Sequence, residues 1–275
     1  MSTTKKLFGR SRTFWAILGS IALTLIAARA FGSQTLTFFQ LRAERNKLPL
    51  LDLTPQPLAT LAVSSSPTLR LSHHGHSVES PWTDLDPSKS KIIGTWGVFA
   101  FNSHSAITFC VTDSSTENLR AEVAKYVGGA DVLRTMVGKE AMASDFAFRR
   151  ALLRQTSKGV RPWMNEHDAV RIGILLMLKA MSSVGGNTGV FEVEGSGWWG
   201  FQFDDPAKNP KSVTLELYDA RENHVEIVVS PNRQNRTRLT QEDVNRVVHS
   251  LKAESSGEER KPFQAVAARV SDRMR

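Results

Sequence analysis

Two short runs constrain the fold of this chain more than anything else in it. In residues 212–219, Val213, Leu215 and Leu217 alternate with Thr214 and Glu216; in 224–230, Val225, Ile227 and Val229 alternate with Glu226. A period of two puts each apolar set on one face of a strand, so the runs read as antiparallel strands with one face packed and one wet. Two more strands precede them, Gly189–Glu194 and Trp198–Asp204, which makes a four-strand meander. Upstream, Ile92–Phe101 and Ala106–Thr112 flank Asn102-Ser103-His104-Ser105 as a hairpin.

Helical spacing fills the interval between hairpin and meander. Ser114 to Glu117 has capping-box spacing, and Leu119, Val123, Tyr126 and Val127 form one stripe behind it. A second helical stretch covers about 131–156, broken at Gly138, with Met142, Phe146 and Leu153 inward and Arg149, Arg150 and Arg154 outward. A third starts at Asn165 as N-cap, and its apolar body marks it as the core helix. Thr240 caps a last helix carrying Val244, Val247, Val248 and Leu251. The fold class is therefore α+β: a two-layer domain over residues 92–252, an antiparallel sheet of hairpin plus meander packed on three to four helices.

The amino-terminal part has a different texture. Residues 1–13 are basic, and the apolar run 14–28 follows, with Phe14, Trp15, Ile17, Leu18, Ile21, Leu23, Leu25 and Ile26 as its membrane-facing core. Positive flank then apolar run is the pattern of a signal peptide or signal anchor, here over residues 14–39. Ala28-Arg29-Ala30 offers a cleavage site, but Arg29 fits one poorly and Phe31, Phe38 and Phe39 suit an interface, so the anchor is preferred. The expected location is a bacterial envelope membrane with the domain on the periplasmic side. A mitochondrial inner membrane, or secretion after cleavage at Ala30, is the alternative.

Residues 40–91 hold a dense set of prolines and serines and read as an extended tether. Its leucines, among them Leu50, Leu51, Leu53 and Leu58, are too many for a solvated linker. Part of it is expected to lie against a partner or against its own domain. His73, His74 and His76 form the one cluster here that a transition metal could use, given a loop that folds them together. Residues 253–275 read as a basic amphipathic helix, with Phe263, Val266, Ala267 and Val270 on one side.

The charge follows the same division. Residues 1–50 hold eight Lys/Arg against one acid, and 231–275 hold ten against six, while 51–230 hold seventeen against twenty. The surplus behind the net +8 lies at the two ends, so no nucleic-acid partner is expected. One cysteine excludes an internal disulfide, and Cys110 reads as a buried strand residue. Glu166-His167-Asp168 points three ways around a helix and reads as an exposed first turn.

No catalytic constellation emerges, and no cofactor is expected. Gly197-Trp198-Trp199-Gly200 is the most distinctive local motif. Trp199, Phe201 and Phe203 share the packed face, which places Trp198 and Gln202 on the wet one, with His224 nearby, as a ligand or partner contact. The leading expectation is a non-enzymatic, single-pass membrane-anchored accessory subunit of a larger envelope complex, bound to protein subunits and to the bilayer through 14–39. The alternatives are an envelope hydrolase, or a glycan- or peptide-binding module on the Trp198 face.

Overall fold

The computed structural model describes residues 49–58, 68–112, 117–161, 164–181, 188–208, 212–231 and 239–253. The candidate anchor 14–39 lies outside them, as does the C-terminal helix apart from Ala253. Among the described residues, no helix is long and apolar enough to cross a membrane.

The domain is α+β, and its described residues form a large mixed sheet, a small second sheet and five α-helices. The strands are β1 (Gln56–Pro57), β2 (Leu69–His73), β3 (His76–Ser80), β4 (Lys91–Ile93), β5 (Trp96–Ala100) and β6 (Ala106–Thr112), then β7 (Val190–Gly195), β8 (Trp198–Phe203), β9 (Val213–Asp219), β10 (His224–Ser230) and β11 (Lys252–Ala253). The helices are α1 (Glu117–Val127), α2 (Ala130–Val137), α3 (Asp145–Arg154), α4 (Glu166–Met181) and α5 (Gln241–Ser250). The large sheet runs β1-β7-β8-β9-β10-β6-β5-β4 and the small one β11-β3-β2. The meander thus continues into the hairpin through β10 and β6, which pair Val225 with Val111 and Ile227 with Phe109.

Three expectations change. The sheet is mixed, because β1 pairs parallel with β7. The supposed strand Ile92–Phe101 is two strands, since Gly94 at φ +57° turns the chain back on itself. The supposed wet face is largely covered. One face carries Val213, Leu215, Leu217, Val225, Ile227 and Val229 and packs on Leu71 and Val78 of the small sheet and on Val244, Val247 and Val248 of α5. The other carries Val190, Phe201, Phe203 and Tyr218 and packs on Leu50, Leu153 and Phe146. Rings of that size on the second face need a cover of their own, so the domain has three layers and not two.

The tether is also part of the fold over much of its length. Residues 69–80 form a two-residue hairpin whose turn, His74-Gly75, takes φ of 45° and 68°, the left-handed geometry that matches strand twist. Leu71 and Val78 seat it on the large sheet, and Gly97 makes room for it. A Cβ at that glycine would stand 2.9 Å from the His73 ring.

Upstream, Leu50 and Leu51 are buried in two different clusters. Asp52 accepts hydrogen bonds from the Ser157 amide and hydroxyl at 3.1 and 2.6 Å. Lys179 Nζ donates to the carbonyls of Leu53 and Gln155 at 2.6 and 2.7 Å. Leu58 then packs on the main core. Residues 49–58 therefore act as a strap that ties helices α3 and α4 to the edge of the sheet.

Candidate functional site

A group of ionisable side chains gathers between α3 and the sheet. Ser144 caps α3 by accepting from the Ala147 amide at 3.0 Å. That start sets the helix phase, so Phe146, Arg149 and Leu153 all face the strands. Arg149 crosses the Phe203 ring at 5.6 Å and donates from Nε and Nη2 to the two Glu216 oxygens at 2.7 and 2.6 Å. Both partners are buried, 3% and 5% exposed. A bidentate pair of this kind is the geometry in which a buried charge is tolerable.

Glu226 of β10 stands directly across from Glu216. Burial raises its carboxyl above the usual range, the neighbouring Glu216 adds to this, and Arg149 opposes it. One step along the same face, Tyr218 stacks on His224 at 4.8 Å. Burial pushes the phenol up, as does Glu216. Burial holds the His224 imidazole below its ordinary value, with Glu216 opposing and Arg149 reinforcing the effect. Its Nε2 is buried without a hydrogen-bond partner. At the rim, Arg120 of α1 reaches Asp145 at 2.8 Å, Glu222 at 3.5 Å and the Met142 carbonyl at 2.8 Å.

Chemically this cluster neutralises itself. The guanidinium is committed to Glu216, and the ring of His224 is committed to Tyr218, so its first effect is to lock α3 onto β9. Sequence reasoning placed Arg149 outward and Glu216 on a wet face and so missed the pair. The signal was present: Arg149 lies three residues after Phe146 and four before Leu153, inside the inward stripe.

The residues singled out beforehand are dispersed. Trp198 is 3% exposed, edge-on to the His76 ring at 5.5 Å, so it is a core residue and offers no exposed platform. Gln202 is fully buried and exchanges hydrogen bonds with Gln241 at 2.8 Å. Both do share a face, but that face is the one under α5 and the small sheet. His224 is on the opposite face.

His73, His74 and His76 each meet a backbone carbonyl: Thr95 at 2.9 Å, Gly94 at 2.8 Å and His74 at 2.8 Å. They serve the hairpin and its seat on β5. No group of three or more His, Cys, Asp or Glu side chains among the described residues is placed to hold a metal. Cys110 is buried opposite Glu226, away from the exposed His104. Glu166 and His167 are exposed, on a shallow cleft shared with Lys125, Tyr126 and Arg171.

Compared with known proteins, the chain matches no family model and none of the curated proteins.

Proposed function

We propose that this chain is a non-enzymatic, single-pass membrane-anchored accessory subunit that helps hold a larger envelope complex together. The observation that carries the reading is the open edge of the large sheet. β4 ends the strand order, all three of its residues are exposed, and Ile93 and the neighbouring Trp96 are 68% and 45% exposed. An edge strand bearing apolar side chains is a template for a strand from another protein, with backbone hydrogen bonds for affinity and side-chain pockets for selection. Residues 14–39 would hold this edge beside a membrane-bound partner, and the strap would keep the domain close to that anchor.

The test is the native mass of C-terminally tagged protein extracted gently from membranes of its own host. A mass well above 30.5 kDa with defined co-purifying subunits supports the reading. Ile93→Lys should then release those subunits, because it places a charge on the pairing edge. A lone chain at the mass expected for cleavage after Ala30 overturns it.

A second reading, an envelope hydrolase, draws on the orphan Nε2 of His224 beside two carboxylates. It predicts that His224→Ala abolishes turnover of an envelope polymer without loss of fold.

A further inference from the structure

The strap places one particular face of the domain next to the chain that leads to the anchor. Asp52 is bonded to Ser157, and the Asp52 amide donates to the Pro49 carbonyl at 3.1 Å. The chain therefore enters the domain beside the last turn of α3. Between residue 39 and Pro49 lie nine residues, which reach at most about 30 Å even when fully extended.

The surface at that entry point is cationic. Residues 146–165 contain five Lys/Arg and no acid. Arg149 turns inward to Glu216, which leaves four. Arg154, Lys158 and Arg161 are exposed, and Arg150 is half-exposed on a bidentate bond to Glu192 at 2.8 and 2.6 Å. Arg154 reaches the same carboxylate only at 3.6 Å. Arg150 and Arg154 share Glu192, Asp52 is the second acid at this entry, and the nine-residue connection adds Arg42, Arg45 and Lys47 against Glu44 alone.

We propose that the face formed by Arg154, Lys158 and Arg161, with Arg150 behind them, is a contact for anionic lipid headgroups of the bilayer. The proposal rests on the anchored reading above. A bilayer surface suits this face for two reasons: the short connection keeps the face within reach of it, and the charges are spread along a helix end instead of converging on a pocket. Each Lys or Arg held near an anionic surface contributes about 1 kcal/mol, and the attraction decays within a Debye length. Contact would orient the domain, turning the β4 edge, at the far end of the strand order from the strap, away from the lipid.

Gly159 is exposed, with open space where a side chain would stand. A dye on full-length Gly159→Cys, in vesicles carrying an acceptor on the lipid headgroup, reads the distance to the surface. Cys110 is buried and should not label. Energy transfer should be higher in phosphatidylcholine vesicles containing phosphatidylglycerol than in phosphatidylcholine alone. It should fall to the neutral-lipid value in about 1 M salt, and also in the triple variant Arg154→Gln, Lys158→Gln, Arg161→Gln.

Equal transfer in both lipids, or an unchanged triple variant, overturns the contact while leaving the anchor standing. If the full chain fails to float with neutral vesicles, the anchor fails instead. The contact is then read by flotation with anionic vesicles, where the triple variant should partition on the order of a hundredfold less. If the triple variant sheds a co-purifying acidic protein and energy transfer stays the same, the face is a protein site and the lipid contact is overturned.

Discussion

Lys179 sits on α4 four residues after Leu175 and three after Leu176, both fully buried, so it has no route to solvent and is itself fully buried. Two carbonyls receive its ammonium, and burial still lowers its pKa to about 8, Asp52 opposing and Arg149 adding to the effect. Below about pH 8 folded and unfolded chains both carry the proton, and the full cost of burying it stands. Between about 8 and 10.5 the unfolded chain holds more proton, so stability from this group rises with pH. The unfolding free energy of the wild type minus that of Lys179→Met should therefore increase across that window, by up to about 3 kcal/mol. A difference that stays flat in a denaturant titration series would mean the amine is hydrated.

His224 follows the same sign in a more acidic window. Its folded pKa is depressed, so its contribution is intact above about 6.5, the unfolded value, and is lost as pH falls below it. His224→Phe keeps the stack on Tyr218 and removes both the titration and the orphan nitrogen. Its stability should fall less between pH 7 and pH 5 than that of the wild type. The slope due to one proton is at most about 1.4 kcal/mol per pH unit. Part of the wild-type loss stays in the variant, because burial also lowers the pKa of His73. Both Lys179 and Arg149 were readable from spacing, since each falls inside a buried stripe. Charge alone argued Arg149 outward, and that argument failed because a carboxylate waits for it inside.

At the scale of elements, the Arg149–Glu216 pair is what registers α3 against the sheet. Removing one partner leaves a bare charge between Phe203 and Tyr218. Arg149→Met and Glu216→Leu should each cost about 3–5 kcal/mol, and the double variant much less than their sum. Simple additivity in chemical denaturation would show that the two side chains do not need each other. The strands themselves were readable: Ala106–Thr112 and His224–Ser230 end where their alternation ends. So was α5, whose capping box closes with Thr240 Oγ1 accepting from the Asp243 amide at 3.2 Å while Asp243 accepts from the Thr240 amide at 2.9 Å. The hairpin 69–80 was not, because its apolar residues number too few to show a period. Its histidines invited a metal reading when they mark a left-handed turn and a packing contact.

At the scale of the whole molecule, the question is where the domain begins. Proline and serine content puts the boundary near residue 91, while the structure puts Leu50 and Leu51 in the core with 4% and 2% exposure. Composition misleads here because a strap needs only a few apolar anchors along an otherwise extended chain, and those anchors bury against residues more than a hundred positions away. Removing residues 1–48 should leave the thermal midpoint of the domain unchanged. Removing 1–58 uncovers Leu153 and Leu176, deletes β1 and takes away one of the two carbonyls that receive Lys179. Two leucines of this burial are together worth about 3–6 kcal/mol. For a domain of this size the midpoint should drop by about 10 °C or more. Equal midpoints for the two truncations would return residues 49–58 to the status of a linker. In that case the nine-residue connection would no longer bound the distance between domain and anchor, and the lipid-facing orientation of the α3 end would lose its geometric basis.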